Sequence, residues 1–192
     1  MSRRAAGLVL GLALLLVAGG MAWWLAARYG LGGAGGRGPG SGGVAAGQRG
    51  ERRGFDLYFP ADQGRLRAER RELEVTDSTR DRVRKILEAL LAGPTAAGLV
   101  RPFPEGVTVG SVLVSQTGTV FVDLRWPGHQ ESPESGSTEE IQRIYSVVDS
   151  VALNVPQATR VVLLWNGTQR PSFSGHLDTS RPLLPDRTLL AP

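Results

Sequence analysis

The sequence has no cysteine, two histidines (His129 and His176) and one lysine (Lys85). The missing cysteine excludes disulfides, a thiolate nucleophile, Cys-ligated zinc, iron–sulfur centres and a lipid-modified cysteine. Two histidines leave no room for a multi-histidine metal site. What remains is a chain of 192 residues, 41% hydrophobic and 21% charged, enough for one packed domain with a tail.

The net charge of +4 is unevenly spread. Residues 1–53 carry seven basic side chains and one acidic one, Glu51, a net +6. Residues 54–192 carry 15 basic and 17 acidic side chains, a net −2. The basic character therefore belongs to the N-terminal part. A slightly acidic folded part argues against nucleic acid as a partner, since a basic face would dominate there. The arginines at 65, 67, 70 and 71 are interleaved with Glu69, Glu72 and Glu74, which reads as a solvated strand face of mixed sign.

Residues 5–27 contain no charge. Twenty-three residues at about 1.5 Å rise suffice to cross a hydrocarbon core of about 30 Å. Arg3 and Arg4 precede the run and favour a cytoplasmic N-terminus. Trp23, Trp24 and Tyr29 sit at the far end, where amphipathic rings favour the interface. A cleaved signal peptide is the rival reading, with Gly20 and Ala22 as small residues before the cut. The run exceeds the usual apolar stretch of a signal peptide, so residues 1–29 are read as an N-terminal transmembrane signal anchor. Residues 30–53 hold 11 glycines among 24 residues and form a flexible linker. As a coil it spans about 25–30 Å. The domain of residues 54–192 is thereby expected outside the cytoplasm, on a single-pass membrane protein.

From Phe55 the pattern changes. Phe55, Leu57 and Phe59 alternate as in a strand, and a turn at Pro60–Gly64 leads to a second strand over 66–75, with Leu73 and Val75 on one face. Ser78 with Asp81 opens a helix whose apolar stripe is Val83, Ile86, Leu87, Leu90 and Leu91; Gly93-Pro94 stops it. Residues 107–114 and 119–124 form a hairpin around Gln116-Thr117-Gly118. Ser137 with Glu140 reads as a capping box for a second helix, with Ile141, Ile144, Tyr145, Val148, Val151 and Ala152 on its buried face. Residues 160–165 and 169–173 form a last hairpin around Asn166-Gly167. The order ββ-α-ββ-α-ββ predicts an α+β fold: a mostly antiparallel or mixed sheet with two amphipathic helices on one face. The segment 175–184 is irregular but apolar enough to dock.

Four stretches carry a family resemblance: DLYFPADQGRLRAERREL (56–73), ALLAGPTAAGLVRPFPEGV (89–107), SVLVSQTGTVFVDL (111–124) and GHLDTSRPLL (175–184). Together they resemble the GerMN domain of spore germination proteins. One departure is the bulkier loop 126–135. The resemblance implies a small α+β module on an exported or membrane-anchored bacterial envelope protein, with no enzymatic activity attached to the domain. Its implied partners are the membrane, through the N-terminal helix, and other envelope proteins or further copies of itself.

His176, Asp178 and Ser180 invite a hydrolase reading. A triad converges on one reacting atom from separate elements, whereas these are alternate residues of one segment. Asp178 and Ser180 are instead expected to satisfy turn donors. His129, His176 and Asp178 match no metal-ligand spacing. Asp123 ends a strand apolar on both sides and is expected to cap a loop. Trp126 and Trp165 are the only hints of sugar stacking, with Trp165 expected near the core. No catalytic, cofactor-binding or metal-ligating residue is assigned, and no cofactor is expected. The leading reading is a non-catalytic interaction or assembly module of the cell envelope. The alternative is a peptidoglycan-processing enzyme or its carbohydrate-binding accessory domain, which would need paired acids or a metal in a cleft.

Overall fold

The computed structural model describes residues 51–192. The expected membrane anchor and nearly all of the linker lie outside the described residues. No helix among those described is long and apolar enough to cross a membrane.

Strand β1 (Arg52–Pro60) pairs antiparallel with β2 (Leu66–Glu74). Arg52 and Arg53, assigned to the linker from sequence, thus belong to the first strand. Helix α1 spans Thr79–Leu91, β3 Thr108–Val114, β4 Thr119–Arg125, α2 Ser137–Ala152, β5 Arg160–Trp165 and β6 Thr168–Gln169. The expected element order is therefore present. The expected single sheet is not. β1 and β2 form a sheet of their own, and β3-β4-β5-β6 form a second, mixed sheet in which β4 and β5 run parallel. Each helix packs against strands of both sheets, α1 on β3 and β1, α2 on β1 and β5, so the helices are not confined to one face of one sheet.

The reason lies at the outer edge of β1. Its Asp56 N–H donates to Asn154 Oδ1 at 2.9 Å and its Tyr58 N–H to Ser150 Oγ at 2.9 Å. Asn154 Nδ2 returns a bond to the Asp56 carbonyl at 2.7 Å. Side chains from the end of α2 occupy the groups a neighbouring strand would use, so the hairpin cannot extend the larger sheet.

Helix α1 follows its sequence closely. Ser78 caps it, accepting from Asp81 N at 3.2 Å, and all five residues of the expected stripe are buried. The chain then reverses through Gly93, whose φ of +90° suits glycine. Helix α2 departs from expectation. Its N-cap is Gly136, without a side-chain bond, so Ser137 and Glu140 do not form a capping box. Ile144, Val147, Val148 and Val151 are buried as core, but so are Glu140, Gln142, Arg143, Ser146, Asp149 and Ser150, while Tyr145 is only half-buried. The helix is amphipathic as expected, but its polar side is enclosed along with its apolar one.

The last hairpin turns at Asn166-Gly167, both with positive φ as a type I′ turn requires. Its return strand is two residues long, not five. Pro171 brings no N–H to a ladder, and Phe173 turns inward to stack edge-on against Trp165 at 5.9 Å. The C-terminal segment bridges the two sheets. Leu183 exchanges two backbone bonds with Val161 of β5, and the Ala191 N–H donates to the Leu66 carbonyl of β2.

Candidate functional site

In the β1–β2 pairing, Leu57 lies opposite Glu69, Phe55 opposite Arg71 and Phe59 opposite Arg67. Opposite residues share a face, so the inward face of β2 carries charge. The loop after α1 folds over it. Arg71 Nη2 donates to the Gly93 carbonyl and Arg67 Nη2 to the Ala97 carbonyl. Glu69 pairs with Arg71 and accepts from Thr95 N, Thr95 Oγ1 and Ala96 N at 2.8–2.9 Å. Burial pushes the Glu69 carboxyl up, but the donors on Ala96, Thr95 and Arg71 outweigh it and hold it at about 2. Arg65, Arg67, Arg70, Glu72 and Glu74 are exposed as expected, whereas Glu69 and Arg71 are drawn in as a clamp on the Gly93–Ala97 loop.

Glu140 is a second such clamp. Its carboxylate is fully enclosed and accepts from Phe173 N, Ser174 N, His176 N and Ser172 Oγ at 2.7–2.9 Å. Burial pushes this carboxyl up as well, and the same donors bring it below the ordinary value. Two residues on, Gln142 Nε2 holds the Ala61 and Arg65 carbonyls of the β1–β2 turn. Arg143 bonds the carbonyls of Pro102 and Pro133 and the carboxylate of Glu139, with its guanidinium 5.8 Å above the Phe103 ring.

The hydrolase-like residues do not converge. Asp178 Oδ1 accepts from Ser180 N at 2.9 Å and Ser180 Oγ at 2.6 Å, the local turn expected, and these bonds lower its carboxyl. His176 is exposed and engages Glu140 only through its backbone. His129 lies elsewhere, stacked on Trp126 at 3.6 Å. No group of three metal-ligating side chains is gathered among the described residues. Asp123 is buried and accepts from Gly167 N at 2.7 Å while pairing with Arg125 at 2.7 Å. It serves the β5–β6 turn, not the loop that follows it in sequence. Trp165 lies in the core, and Trp126 is half-buried against it, edge-on at 6.3 Å. Trp165 is thus withdrawn from any sugar, and one face of Trp126 is taken by His129. The cleft between α1 and β3, of about 360 Å³, has Glu88 as its one acidic residue, and the clefts beside the β3–β4 turn and beside the start of β1, of about 470 and 410 Å³, are lined by none.

The outward face of the larger sheet is different. Leu113, Phe121 and Val162 stand in one row across β3, β4 and β5. Val162 is covered, whereas Leu113 is 62% and Phe121 37% exposed. The stretch 107–122 that holds both contains no charged residue. The sequence signal was the apolar character of β4 on both faces.

A family model described as "Germane: Sporulation and spore germination" matches residues 56–171. The chain belongs to this family. The Germane match covers the first three of the four resembling stretches, and 175–184 lies beyond it. Among solved structures, the fold is similar to the tandem GerMN domains of the sporulation protein GerM from Bacillus subtilis (21% identity, TM-score 0.56, 70% of this chain and 46% of that one). It is also similar to the first GerMN domain of the same protein (20% identity, TM-score 0.53, 70% and 98%). A putative lipoprotein from Clostridium perfringens shares it too (19% identity, TM-score 0.50, 69% and 87%). This chain spans under half of the tandem protein's structure. No curated protein matches the chain. At these identities the structural likeness establishes the fold, and the GerMN resemblance of the sequence is confirmed.

Proposed function

We propose that this Germane-family protein is a membrane-anchored, extracytoplasmic assembly module of the bacterial cell envelope, and that it is not a catalyst. One observation carries the reading. Of the four buried acids, Asp149 is sealed from solvent, and Glu69, Glu140 and Asp123 accept hydrogen bonds from the chain's own donors, while Leu113 and Phe121 face solvent as an apolar pair on a charge-free stretch. A general acid or base needs a lone pair or proton free for substrate. Glu69, Glu140 and Asp123 have theirs engaged in holding loops.

The anchor is the uncharged run 5–27, with the Arg-flanked N-terminus in the cytoplasm and residues from about 30 onward outside. One structural relative is described as a putative lipoprotein. This sequence has no cysteine to carry a lipid, so the apolar run takes the anchoring role here. The family description points to sporulation or germination as the setting.

The test is paired. The full-length protein is expressed in its own cells with a photo-crosslinking residue at position 113 or, as an exposed control, at position 88. A defined adduct at 113 and none at 88, together with no peptidoglycan cleavage by the purified protein, is the expected result. Wall cleavage by the purified protein, or equal crosslinking at both positions, overturns the reading.

A further inference from the structure

Asp149 sits in the last turn of α2 with no exposed surface. Its Oδ1 accepts from the Asp186 N–H at 3.0 Å. Its Oδ2 is buried and finds no partner among the described residues. Four ionisable groups surround it: Tyr58 from β1, Tyr145 from its own helix, and Asp186 and Arg187 from the C-terminal segment. That segment is the strap that bridges the sheets, pinned at one end by Leu183 on Val161 and at the other by Ala191 on Leu66. Asp149 bonds the strap midway between these pins.

A carboxylate oxygen enclosed without a donor is costly when ionised and tolerable when protonated. Protonation makes Oδ2 neutral and leaves Oδ1 free to keep the Asp186 bond. Ionisation leaves two ways to relieve the charge: take the proton back, or let water reach Oδ2. The strap is a wall of the enclosure, and besides its bond to Asp149 it is held by the Leu183–Val161 pair, the Ala191–Leu66 bond and the Arg65 guanidinium on the Thr188 carbonyl, so it is the part that can give way. We propose that residues 183–191 form a proton-operated latch, closed over neutral Asp149 and loosened as Asp149 ionises. Opening would free the backbone groups of Val161 and Leu66 at the edges of the two sheets.

The direction of the pH effect follows from the two states. Burial, opposed by the Asp186 N–H, raises the enclosed carboxyl to about 7, whereas a solvated aspartate titrates near 3.8. Between those values the closed state holds a proton that the open state has released. Opening therefore becomes about tenfold more favourable per pH unit across that window and levels off above pH 7. Tyr58 and Tyr145, both raised by burial, stay neutral throughout.

Hydrogen exchange of the full-length protein at pH 5, 6, 7 and 8 reads this directly, after correction for the intrinsic exchange rate. The strap amides of Asp186 and Ala191 should be less protected than the core amides of Val122 and Leu163. Their protection should fall by about tenfold per unit from pH 5 to 7 and then flatten. In Asp149→Asn the strap should show no such fall. Strap amides that exchange only together with the core, or a pH dependence unchanged in the variant, overturn the latch. If the variant does not fold, carboxyl-carbon NMR of the native protein decides, because a midpoint for Asp149 below 5 is incompatible with it and one near 7 supports it.

Discussion

Truncating Glu140 to alanine strips acceptors from three backbone N–H groups and one hydroxyl at once, on a segment that no regular element supports. Leaving buried donors unpaired costs about 1–3 kcal/mol each. Glu140→Ala should therefore lower unfolding free energy by about 3 kcal/mol or more in urea titrations, and should detach the 172–176 segment. Changing His176 to Gln should instead leave both stability and cellular function unchanged, because only its backbone N–H is engaged. A stable but inactive His176→Gln protein would restore the enzymatic reading, since general base catalysis needs a group titrating near neutrality. Complementation and thermal melts on the same variant separate the two. Glu140 and His176 lie 36 residues apart, so no local spacing announces their contact. Read by sequence, Glu140 looks like a capping-box acid. Its side chain instead turns to donors that only the folded chain brings near.

At the level of elements, α1 and α2 mark the boundary of what periodicity can tell. Leu87 and Ile144 are both fully buried. Leu87→Ala and Ile144→Ala should each destabilise by about 2–5 kcal/mol, as truncation of an enclosed aliphatic side chain does; a loss under about 0.5 kcal/mol in denaturant titration would mean the face is exposed. The stripe of α1 was fully legible because one side of that helix meets solvent. On α2 the same rule found Ile144, Val148 and Val151 but passed over the buried Gln142, Arg143, Asp149 and Ser150. Periodicity reads hydrophobicity and carries no information about a polar side chain whose partner arrives from a distant loop. Each of those four bonds a different segment: the first turn, two proline loops, the C-terminal strap and β1. The division into two sheets was hidden for the same reason. It depends on Ser150 and Asn154 reaching the edge of β1, which alternation within β1 cannot reveal. Element order, turn glycines and the Ser78 cap are local properties, and those could be read.

Taken whole, the domain balances carboxyls whose folded-state affinities for protons are displaced in opposite directions. Glu69 lies at about 2 when folded and near 4.5 when unfolded. As pH falls from 4.5 towards 2, the unfolded chain takes up this proton first, so the stability that Glu69 contributes is lost over that window. Asp149 does the reverse, lying at about 7 when folded and near 3.8 when unfolded. As pH rises from about 4 to 7, the unfolded chain gives up its proton while the folded chain retains it, so stability falls and then stays level. One pH unit of such a window is worth about 1.4 kcal/mol. The two windows meet between pH 4 and 5, which places maximal stability there, acid of the usual optimum. Urea unfolding of the full-length protein should give a free energy about 2–3 kcal/mol larger at pH 5 than at pH 8. Asp149→Asn should abolish most of that difference and leave the acid limb in place, because Glu69 is untouched. Glu69→Gln should do the opposite: it should make the acid limb shallower, with Glu140 supplying what remains, lower stability at every pH above 4.5, and keep the decline from pH 5 to 7. A native protein equally stable at pH 5 and 8 would show that Asp149 is ionised at no cost in the folded state, and that water or a donor reaches its Oδ2.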